Sequence, residues 1–230
     1  MNVLITGNRK GIGRHLTSVF LERGFTVFGC SRTESDLINP NYRHFIADVA
    51  DENQVKLMFR EIRRVGKGLD IVINNAGVAS MNHTILTPLS TVTKLMQTNF
   101  NGTFLVSREA VKLMQKKHNG RIINFSTVAV PLNLHGEAIY AASKSAVETL
   151  TRIMAKEVGD FGITVNAIAP TPIDTDLTRT VPKNKLEEII NQQSIKRMGN
   201  FEDVLNIIDF YIRPESSFVT GQVLYLGGIY

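Results

Sequence analysis

Short apolar runs alternate with longer stretches of helical period along the chain, which is the pattern of repeated β–α–β units. The predicted strands are Val3–Thr6, Phe25–Cys30, His44–Ala47, Leu69–Asn74, Arg121–Phe125, Thr164–Ala169 and Val223–Leu226. The predicted helices are Gly11–Arg23, Asp51–Val65, Thr91–Lys117 with a bend at Asn99, and Ala138–Phe161. The order predicts an α/β fold with a parallel sheet.

The 230 residues fit a single domain, because no Pro/Gly/Ser-rich linker divides them. The least regular region is 170–199, which holds three prolines and a short amphipathic stretch at Leu186–Ile190. A loop of this length in one domain is usually functional, so we expect a substrate loop or lid there. An ordinary crossover with a short helix is the alternative.

Composition points to a cytoplasmic protein without nucleic-acid or membrane partners. The single cysteine, Cys30, lies in a predicted strand and reads as core filler, so no internal disulfide is possible. The net charge of +5 is scattered, and its densest stretch, Lys112–His118, reads as a solvated helix face. No apolar run approaches the ~20 residues of a membrane span, and Met1–Ile5 is too short for a signal peptide.

A glycine-rich segment joins the first predicted strand to the first predicted helix. Gly7, Gly11, Ile12 and Gly13 form a Gly-x-x-x-Gly-Ile-Gly pattern there. Small residues let a dinucleotide pyrophosphate approach the backbone, and the helix N-terminus supplies free N–H groups. The spacing alone is equally compatible with a tight strand–helix turn.

Basic residues follow the second strand, where an acidic residue would bind the ribose 2′-hydroxyl of NAD. Ser31 and Arg32 occupy that place, and Lys10 and Arg9 in the glycine loop can reach the same group. Guanidinium and ammonium groups suit a 2′-phosphate, so we expect NADP(H) in preference to NAD(H). Ordinary surface cations are the alternative.

Two further segments end strands at the same edge of the predicted sheet, where ligands bind in open parallel sheets. Asn75, Ala76 and Gly77 leave room for the cofactor backbone and the adenosine ribose. Asp48 and Val49 follow the third strand and are placed to hold the adenine ring.

Tyr140 and Lys144 are four residues apart on a predicted helix and share one face. A phenol with a pKa near ~10 is a poor acid–base catalyst at neutral pH. We expect the ammonium group to lower that pKa, so that the phenol can donate a proton to a carbonyl as hydride arrives. No metal ligands are predicted.

The chain resembles the short-chain dehydrogenase/reductase family over essentially its whole length. The motifs that carry the resemblance are Thr6-Gly7-x-x-x-Gly11-Ile12-Gly13, Asn74-Asn75-Ala76-Gly77, Asn99-Phe100-Asn101-Gly102, Tyr140-x-x-x-Lys144, Asn166-Ala167-Ile168-Ala169-Pro170, and Thr220-Gly221-Gln222-Val223 with Gly227-Gly228. The resemblance implies a Rossmann-type doubly wound parallel sheet in three α/β/α layers, a nicotinamide cofactor and a homo-oligomer, a tetramer or a dimer. Two predicted long helices would form the interface.

The family's catalytic set carries over as Asn99, Tyr140 and Lys144, while Thr127 stands where the family has serine. Ser126 precedes it, and neighbouring strand residues face opposite ways, so only one hydroxyl can face the substrate; we favour Thr127. The resemblance makes Tyr140 the proton donor and Thr127 the group that orients the carbonyl. It also makes Lys144 the ribose ligand and Asn99 part of a proton relay.

The family's glycine after Pro170 is Thr171 here, and its aspartate before the last Gly-Gly is Leu226. The resemblance still implies that the backbone near Pro170, Ile173 and Thr175 contacts the nicotinamide carboxamide. The leading hypothesis is therefore NADP(H)-dependent reduction of a ketone or aldehyde. A non-catalytic dinucleotide sensor or scaffold and a sugar-nucleotide epimerase are the alternatives.

The substrate stays open at this stage. The chain is similar to the 3-oxoacyl-carrier-protein reductase group, and Lys116, Lys117 and His118 offer a basic face for an acidic carrier, although Phe161 stands where a second base would help. Asn133, His135 and Glu137, just before Tyr140, are candidates for a polar pocket that would suit a hydroxylated or sugar-like ketone as well as an acyl thioester. That they are loop residues on the rim of the site is an equally open alternative.

Overall fold

Seven parallel strands form one twisted sheet at the centre of the molecule, which a computed structural model describes for residues 1–66, 68–176 and 178–230, the side chain of Thr180 excepted. The strands are β1 (Asn2–Thr6), β2 (Thr26–Ser31), β3 (Tyr42–Ile46), β4 (Ile71–Asn74), β5 (Gly120–Phe125), β6 (Ile163–Ala169) and β7 (Val223–Tyr225). Their order is β3-β2-β1-β4-β5-β6-β7, and all six pairings are parallel. Strands β2 and β3 extend the sheet on one side of β1, and β4 to β7 extend it on the other side. This change of side makes the sheet doubly wound and confirms the predicted fold class.

Helices cover both faces of the sheet. They are α1 (Gly11–Glu22), α2 (Glu52–Gly66), α3 (Leu89–Leu95), α4 (Gly102–Met114), α5 (Ala129–Leu132), α6 (Ala138–Val158), α7 (Lys183–Gln192) and α8 (Phe201–Ile212). As predicted, Asp51 lies at the start of α2, where its carboxylate accepts hydrogen bonds from the N–H groups of Asn53 and Gln54 at 2.9 and 3.0 Å. No described helix combines the length and apolar character that crossing a membrane requires.

The helical stretch predicted over 91–117, with its bend at Asn99, is divided at that point, because a π-helical segment at Met96–Asn101 separates α3 from α4. The sequence pattern missed the short helix α5. The sequence pattern also missed α8, although Asn200 and Asp203 form a reciprocal capping box at its N-terminus. The box differs from its usual form in having Asp where Glu or Gln is commonest.

Side chains alternate across each strand and build one hydrophobic core on each face. On β1, Leu4 joins the core that packs against α2, α4 and α6, while Val3 and Ile5 join the core beneath α1 and α8. Cys30 is fully buried in the first core, and burial raises the pKa of its thiol to about 12. The thiol is therefore unreactive and fills space, as expected.

The parallel strands bring the segments after β1, β4, β5 and β6 to one edge of the sheet. The segment after β6 leaves this edge, carries α7, and returns where Ile173 pairs with Gly199. The Gly199 N–H donates to the Pro172 carbonyl at 3.0 Å. Residues 173–199 therefore form a loop whose two ends are fixed together beside the predicted site.

Candidate active site

A cavity of about 410 Å³ opens at the carboxyl edge of the sheet. Nine of the predicted site residues line it: Ile12, Asn75, Gly77, Thr127, Tyr140, Lys144, Pro170, Ile173 and Thr175. Loops after four different strands and one side of α7 contribute to the wall. The topology therefore brings together residues that are far apart in the sequence.

Two of the three motif glycines are required by close backbone packing. Gly7 has a φ of 67°, and a Cβ there would lie 2.8 Å from the Ala76 Cα. A Cβ on Gly13 would collide with the Gly7 carbonyl. Gly11 instead borders the opening, where a Cβ would meet the Thr175 methyl group at 3.3 Å.

The N-terminus of α1 fits an anionic group. The Arg14 N–H makes a helical bond to the Lys10 carbonyl at 3.2 Å, and no side chain caps the helix. The first turn contains no acidic residue, and Ile12 in that turn lines the cavity. Uncapped N–H groups and the positive end of the helix dipole are what a pyrophosphate requires.

Side chains after β4 hold two loops together. The Asn75 amide donates to the carbonyls of Thr6 and Gly7, both at 3.0 Å, and the Ala76 N–H donates to the Thr6 hydroxyl at 3.0 Å. Gly77 leaves a gap, where a Cβ would lie 3.4 Å from both Asn99 Oδ1 and Lys144 Nζ. These contacts position the cavity wall beneath the tyrosine–lysine pair.

The predicted 2′-phosphate residues lie at the end of β2 and in the glycine loop, on the exposed side of the site. Arg9 and Arg32 are exposed, and the Ser31 hydroxyl donates to the Thr33 carbonyl at 2.6 Å. Lys10 is also exposed, and its ammonium group forms a 2.7 Å ion pair with Asp176. The sequence did not anticipate this pair.

The predicted adenine residues lie after β3. The Asp48 carboxylate accepts a hydrogen bond from the Ala50 N–H at 2.9 Å and closes a tight turn. The Val49 side chain packs against Gly102, where any Cβ would clash with it. Both residues therefore shape the surface at this end of the site.

The two hydroxyl groups after β5 point in different directions. Thr127 and Tyr140 both line the cavity wall, and the Thr127 hydroxyl acts to lower the pKa of the phenol. The Ser126 hydroxyl instead donates to the Glu148 carboxylate at 2.6 Å, and both of these residues are buried. The structure thus brings Thr127, rather than Ser126, to the phenol.

The Lys144 ammonium is 4% exposed and donates to the Phe125 carbonyl at 2.8 Å. Burial lowers its pKa from 10.5 to about 8. Removal from solvent raises the pKa of Tyr140 to about 12, and the Glu137 carboxylate adds to the rise while the Thr127 hydrogen bond opposes it. The expectation that Lys144 lowers the Tyr140 pKa is therefore wrong for the protein alone, because loss of solvation dominates.

Asn99 lies in the π-helical segment and is fully buried. Its amide nitrogen donates to the Val78 carbonyl and the Ser143 hydroxyl, and its oxygen accepts from the Val78 N–H, all at 2.9 Å. The side chain therefore fixes the loop after β4 beside Lys144. Such π-helical insertions often occur at functional sites.

Of the three polar residues before Tyr140, only Glu137 lines the active-site cavity. Asn133 and His135 line a second cavity of about 450 Å³ with His83, whose ring centroid lies 5.3 Å from that of His135. The expected shared polar pocket is therefore wrong for Asn133 and His135. Asn133 has a left-handed backbone conformation, with a φ of 49°. The chain therefore turns at Asn133 before it reaches Glu137.

A buried cluster next to the site was not found from the sequence. The Tyr225 hydroxyl donates to both carboxylate oxygens of Glu148, at 2.7 and 2.8 Å, and Ser126 donates to the same group. Glu148 follows Lys144 by four residues on α6, and this spacing was the only available signal. The cluster fixes β7 and the end of β5 to α6, the helix that carries Tyr140 and Lys144.

A site that binds a dinucleotide beside a half-buried tyrosine and a buried lysine defines a nicotinamide-dependent oxidoreductase. The chain belongs to the short-chain dehydrogenase/reductase family, and residues 6–228 match the family model described as Enoyl-(Acyl carrier protein) reductase. Both the suspected family and the enzyme class are confirmed. The comparisons give no support to a non-catalytic sensor.

Relatives match over nearly the full length. The 3-oxoacyl-[acyl-carrier-protein] reductase FabG of Vibrio cholerae is 31% identical, with 99% of this chain and 96% of the relative covered. The structure of ElxO with NADP bound has a TM-score of 0.88 and 31% identity, covering 98% of this chain and 96% of that chain. The aldohexose dehydrogenase of Thermoplasma acidophilum has a TM-score of 0.90 and 27% identity, covering 99% and 93%.

Proposed function

We propose that the protein reduces a ketone or aldehyde with NADPH, with Tyr140 as the proton donor. The observation that carries the proposal is the joint placement of Thr127, Tyr140 and Lys144 in the wall of one cavity beside the N-terminus of α1. The NADP-bound structure of ElxO, a relative of almost the same fold, supports the cofactor.

The described residues fit the cofactor. The uncapped first turn of α1 would bind the pyrophosphate, and Arg9, Lys10, Ser31 and Arg32 would surround a 2′-phosphate. The backbone near Pro170, Ile173 and Thr175 would face the nicotinamide end. When bound, NADPH supplies the hydride.

The chain's own groups orient the carbonyl and supply the proton. The Thr127 hydroxyl, which lines the cavity with Tyr140, would share the substrate oxygen with the phenol. With a pKa of about 12 in the protein alone, the phenol carries its proton at neutral pH but is a weak acid, so efficient donation requires the bound cofactor and substrate to lower this pKa. Lys144, beside Gly77 and Asn99, is placed to bind the ribose and to return a proton to the phenol.

The relatives name two substrate classes, carrier-bound 3-oxoacyl groups and aldohexoses. The basic face at Lys116–His118 is a weaker candidate for docking an acidic carrier than the sequence suggested. Lys117 forms an ion pair with Asp70 at 3.0 Å, and Phe161 packs against the core. A carrier that docks there would still meet exposed Lys116 and His118.

A cytoplasmic homo-oligomer that pairs through the outer faces of α4 and α6 belongs to the same proposal. Phe104 and Ile153 leave 37% and 52% of their surfaces exposed on these helices. Light scattering of the purified protein tests the oligomer. A monomer at micromolar concentration would rule it out.

We also propose that residues 170–199 act as a lid. Val181, Leu186 and Ile189 of this segment line the cavity, and its two ends are fixed by the Ile173–Gly199 pairing. Hydrogen exchange with and without NADPH tests the proposal. Protection that increases over this segment supports a lid, and unchanged exchange contradicts it.

The decisive experiment on the function follows NADPH and NADH absorbance with 3-oxoacyl thioesters, keto sugars and diketones. Tyr140→Phe is the control, because it removes only the phenolic oxygen. NADPH-dependent turnover that disappears in Tyr140→Phe supports carbonyl reduction. Turnover that survives in that variant would exclude Tyr140 as the proton donor.

A further inference from the structure

One carboxyl group in the cavity wall has no part in the chemistry described so far. Glu137 is 8% exposed and lines the cavity together with Tyr140. Burial raises the pKa of Glu137 and is the only influence resolved on it, so no described cation stabilises its charge. A buried carboxyl group without a partner is costly and needs an explanation.

Helix capping does not explain it. Glu137 occupies the N-cap of α6, a position whose side chain commonly accepts a hydrogen bond from the first turn, but it makes no such bond. Some polar side-chain atoms in the described part of the protein are fully enclosed and have no hydrogen-bond partner, but the Glu137 oxygens are not among them. The carboxyl group therefore reaches the open space of the cavity.

Glu137 lies close to the reacting centre. It precedes Tyr140 by three residues, so both side chains lie on the same side of the first turn of α6. The two groups interact electrostatically, because the Glu137 charge raises the pKa of Tyr140. A substrate whose carbonyl faces Tyr140 must therefore place a neighbouring part of its skeleton against Glu137.

The rest of the wall combines the hydroxyl groups of Ser80, Thr171 and Thr178 with several apolar side chains. Met81, Val128 and Leu134 line it near the active-site helix, and Leu186 and Ile189 line it from α7. An unsubstituted acyl chain would match these residues but would place methylene groups against Glu137 and exclude its water. The carboxyl group would then lose hydrogen bonds that nothing replaces.

We infer that Glu137 selects a carbonyl substrate that carries a hydroxyl group close to its carbonyl, by accepting a hydrogen bond from that hydroxyl. The inference rests on the proposed carbonyl reduction and specifies its substrate class. It favours a hydroxylated ketone or aldehyde over a 3-oxoacyl thioester with a plain chain. Glu137 is thus a specificity-determining residue.

The test compares matched substrates with NADPH. The panel contains butanone, two of its hydroxylated forms (3-hydroxybutan-2-one and 4-hydroxybutan-2-one, with the hydroxyl one and two carbons from the carbonyl), the corresponding amino ketones, and an acetoacetyl thioester. The proteins are wild type, Glu137→Gln, Glu137→Leu and the control Glu157→Gln. Glu157 is an exposed glutamate on the same helix.

The expected wild-type preference for one hydroxylated ketone over butanone is at least about tenfold in kcat/KM, the ratio that a hydrogen bond to a charged group provides. Glu137→Gln keeps an acceptor and should retain part of the preference, whereas Glu137→Leu should bring the ratio close to one. The control Glu157→Gln should keep the wild-type ratio. Thermal unfolding confirms that each variant is folded.

Several results would overturn the inference. A wild-type ratio near one, a ratio that survives in Glu137→Leu, or a thioester preferred over both hydroxylated ketones would each do so. A stronger preference for an amino ketone that disappears in Glu137→Gln would identify a cationic group instead.

Binding to the NADPH-loaded protein, followed by NADPH fluorescence, separates this inference from the proposed function. Tenfold tighter binding of a hydroxylated ketone without any turnover would contradict carbonyl reduction but support the role of Glu137. Equal binding of butanone and both hydroxylated forms would overturn that role.

Discussion

Lys10 and Asp176 form a 2.7 Å ion pair that joins the glycine-rich loop to the segment after β6. The two residues are 60% and 57% exposed, so their attraction is screened by water. Lys10 is also one of the cations placed to bind the cofactor's 2′-phosphate. The carboxylate of Asp176 and the phosphate would therefore compete for the same ammonium group.

We expect Asp176→Asn to bind NADPH about twofold to fivefold more tightly, a modest gain because the exposed ion pair is screened by water. NADH lacks the phosphate, so its dissociation constant should not change. Fluorescence titration measures both. The control is Asp174→Asn, since Asp174 pairs with Arg179 and not with Lys10. Weaker NADPH binding in Asp176→Asn would show that the pair assists the cofactor.

The position of Thr127 in the cavity wall with Tyr140 gives a second prediction. Thr127→Val keeps the shape of the side chain but removes the hydroxyl, and kcat/KM should fall about tenfold to a hundredfold. Thr127→Ser keeps the hydroxyl and should retain most of the activity. Ser126→Ala is the comparison, because Ser126 bonds to Glu148 instead. A larger catalytic loss in Ser126→Ala, at equal stability, would reassign the role to Ser126.

Local patterns in the sequence were sufficient for much of the site. The glycines follow a strand and open a helix, and Tyr140 and Lys144 are one helical turn apart, so neighbouring residues already fix these features. The parallel sheet then brings the strand ends to one edge. Fold class and the approximate position of the site were predictable for this reason.

Contacts between distant segments were not predictable. Glu148 meets Ser126 and Tyr225, which are 22 and 77 residues away, and Lys10 meets Asp176 across 166 residues. No periodicity encodes such pairs, because they depend on how the strand ends and the returning loop pack. The prediction of a lowered Tyr140 pKa was wrong for a similar reason, because this pKa is decided by solvent exclusion in the assembled cavity.

Burial of Lys144 predicts a pH dependence of stability. Its pKa falls from the ordinary lysine value of 10.5 to about 8 in the folded protein. Between these values the unfolded chain binds more protons than the folded one, so the free energy of unfolding rises with pH. Below about pH 8 both states are protonated, and this contribution no longer changes.

Denaturant unfolding of wild type and Lys144→Met measures the effect. The difference in unfolding free energy, wild type minus variant, should grow by about 2 kcal/mol between about pH 8 and about pH 10. The Tyr140 ionisation is common to both proteins and cancels to first order. Lys156→Met, at an exposed lysine of α6, should follow wild type. A difference that stays flat or falls would contradict the lowered Lys144 pKa.

The buried Glu148 cluster predicts a large loss of stability when its acceptor is removed. Glu148→Ala leaves the buried Ser126 hydroxyl and the half-buried Tyr225 hydroxyl without their partner, and we expect a loss of about 2–4 kcal/mol. Arg152 also contacts Glu148, at 3.3 Å, but its side chain is 51% exposed. Arg152→Met should therefore cost less than about 1 kcal/mol.

Urea denaturation compares these variants, with Tyr225→Phe as a third protein that removes one donor and keeps the carboxylate. Because Ser126 is adjacent to Thr127, a shift of the β5 end in Glu148→Ala should also lower kcat more than it changes the KM for the carbonyl substrate. Equal stability losses in Glu148→Ala and Arg152→Met would show that the surface ion pair, rather than the Ser126 and Tyr225 hydroxyls, gives the cluster its energy. In that case the catalytic helix would be held to β7 by apolar packing alone.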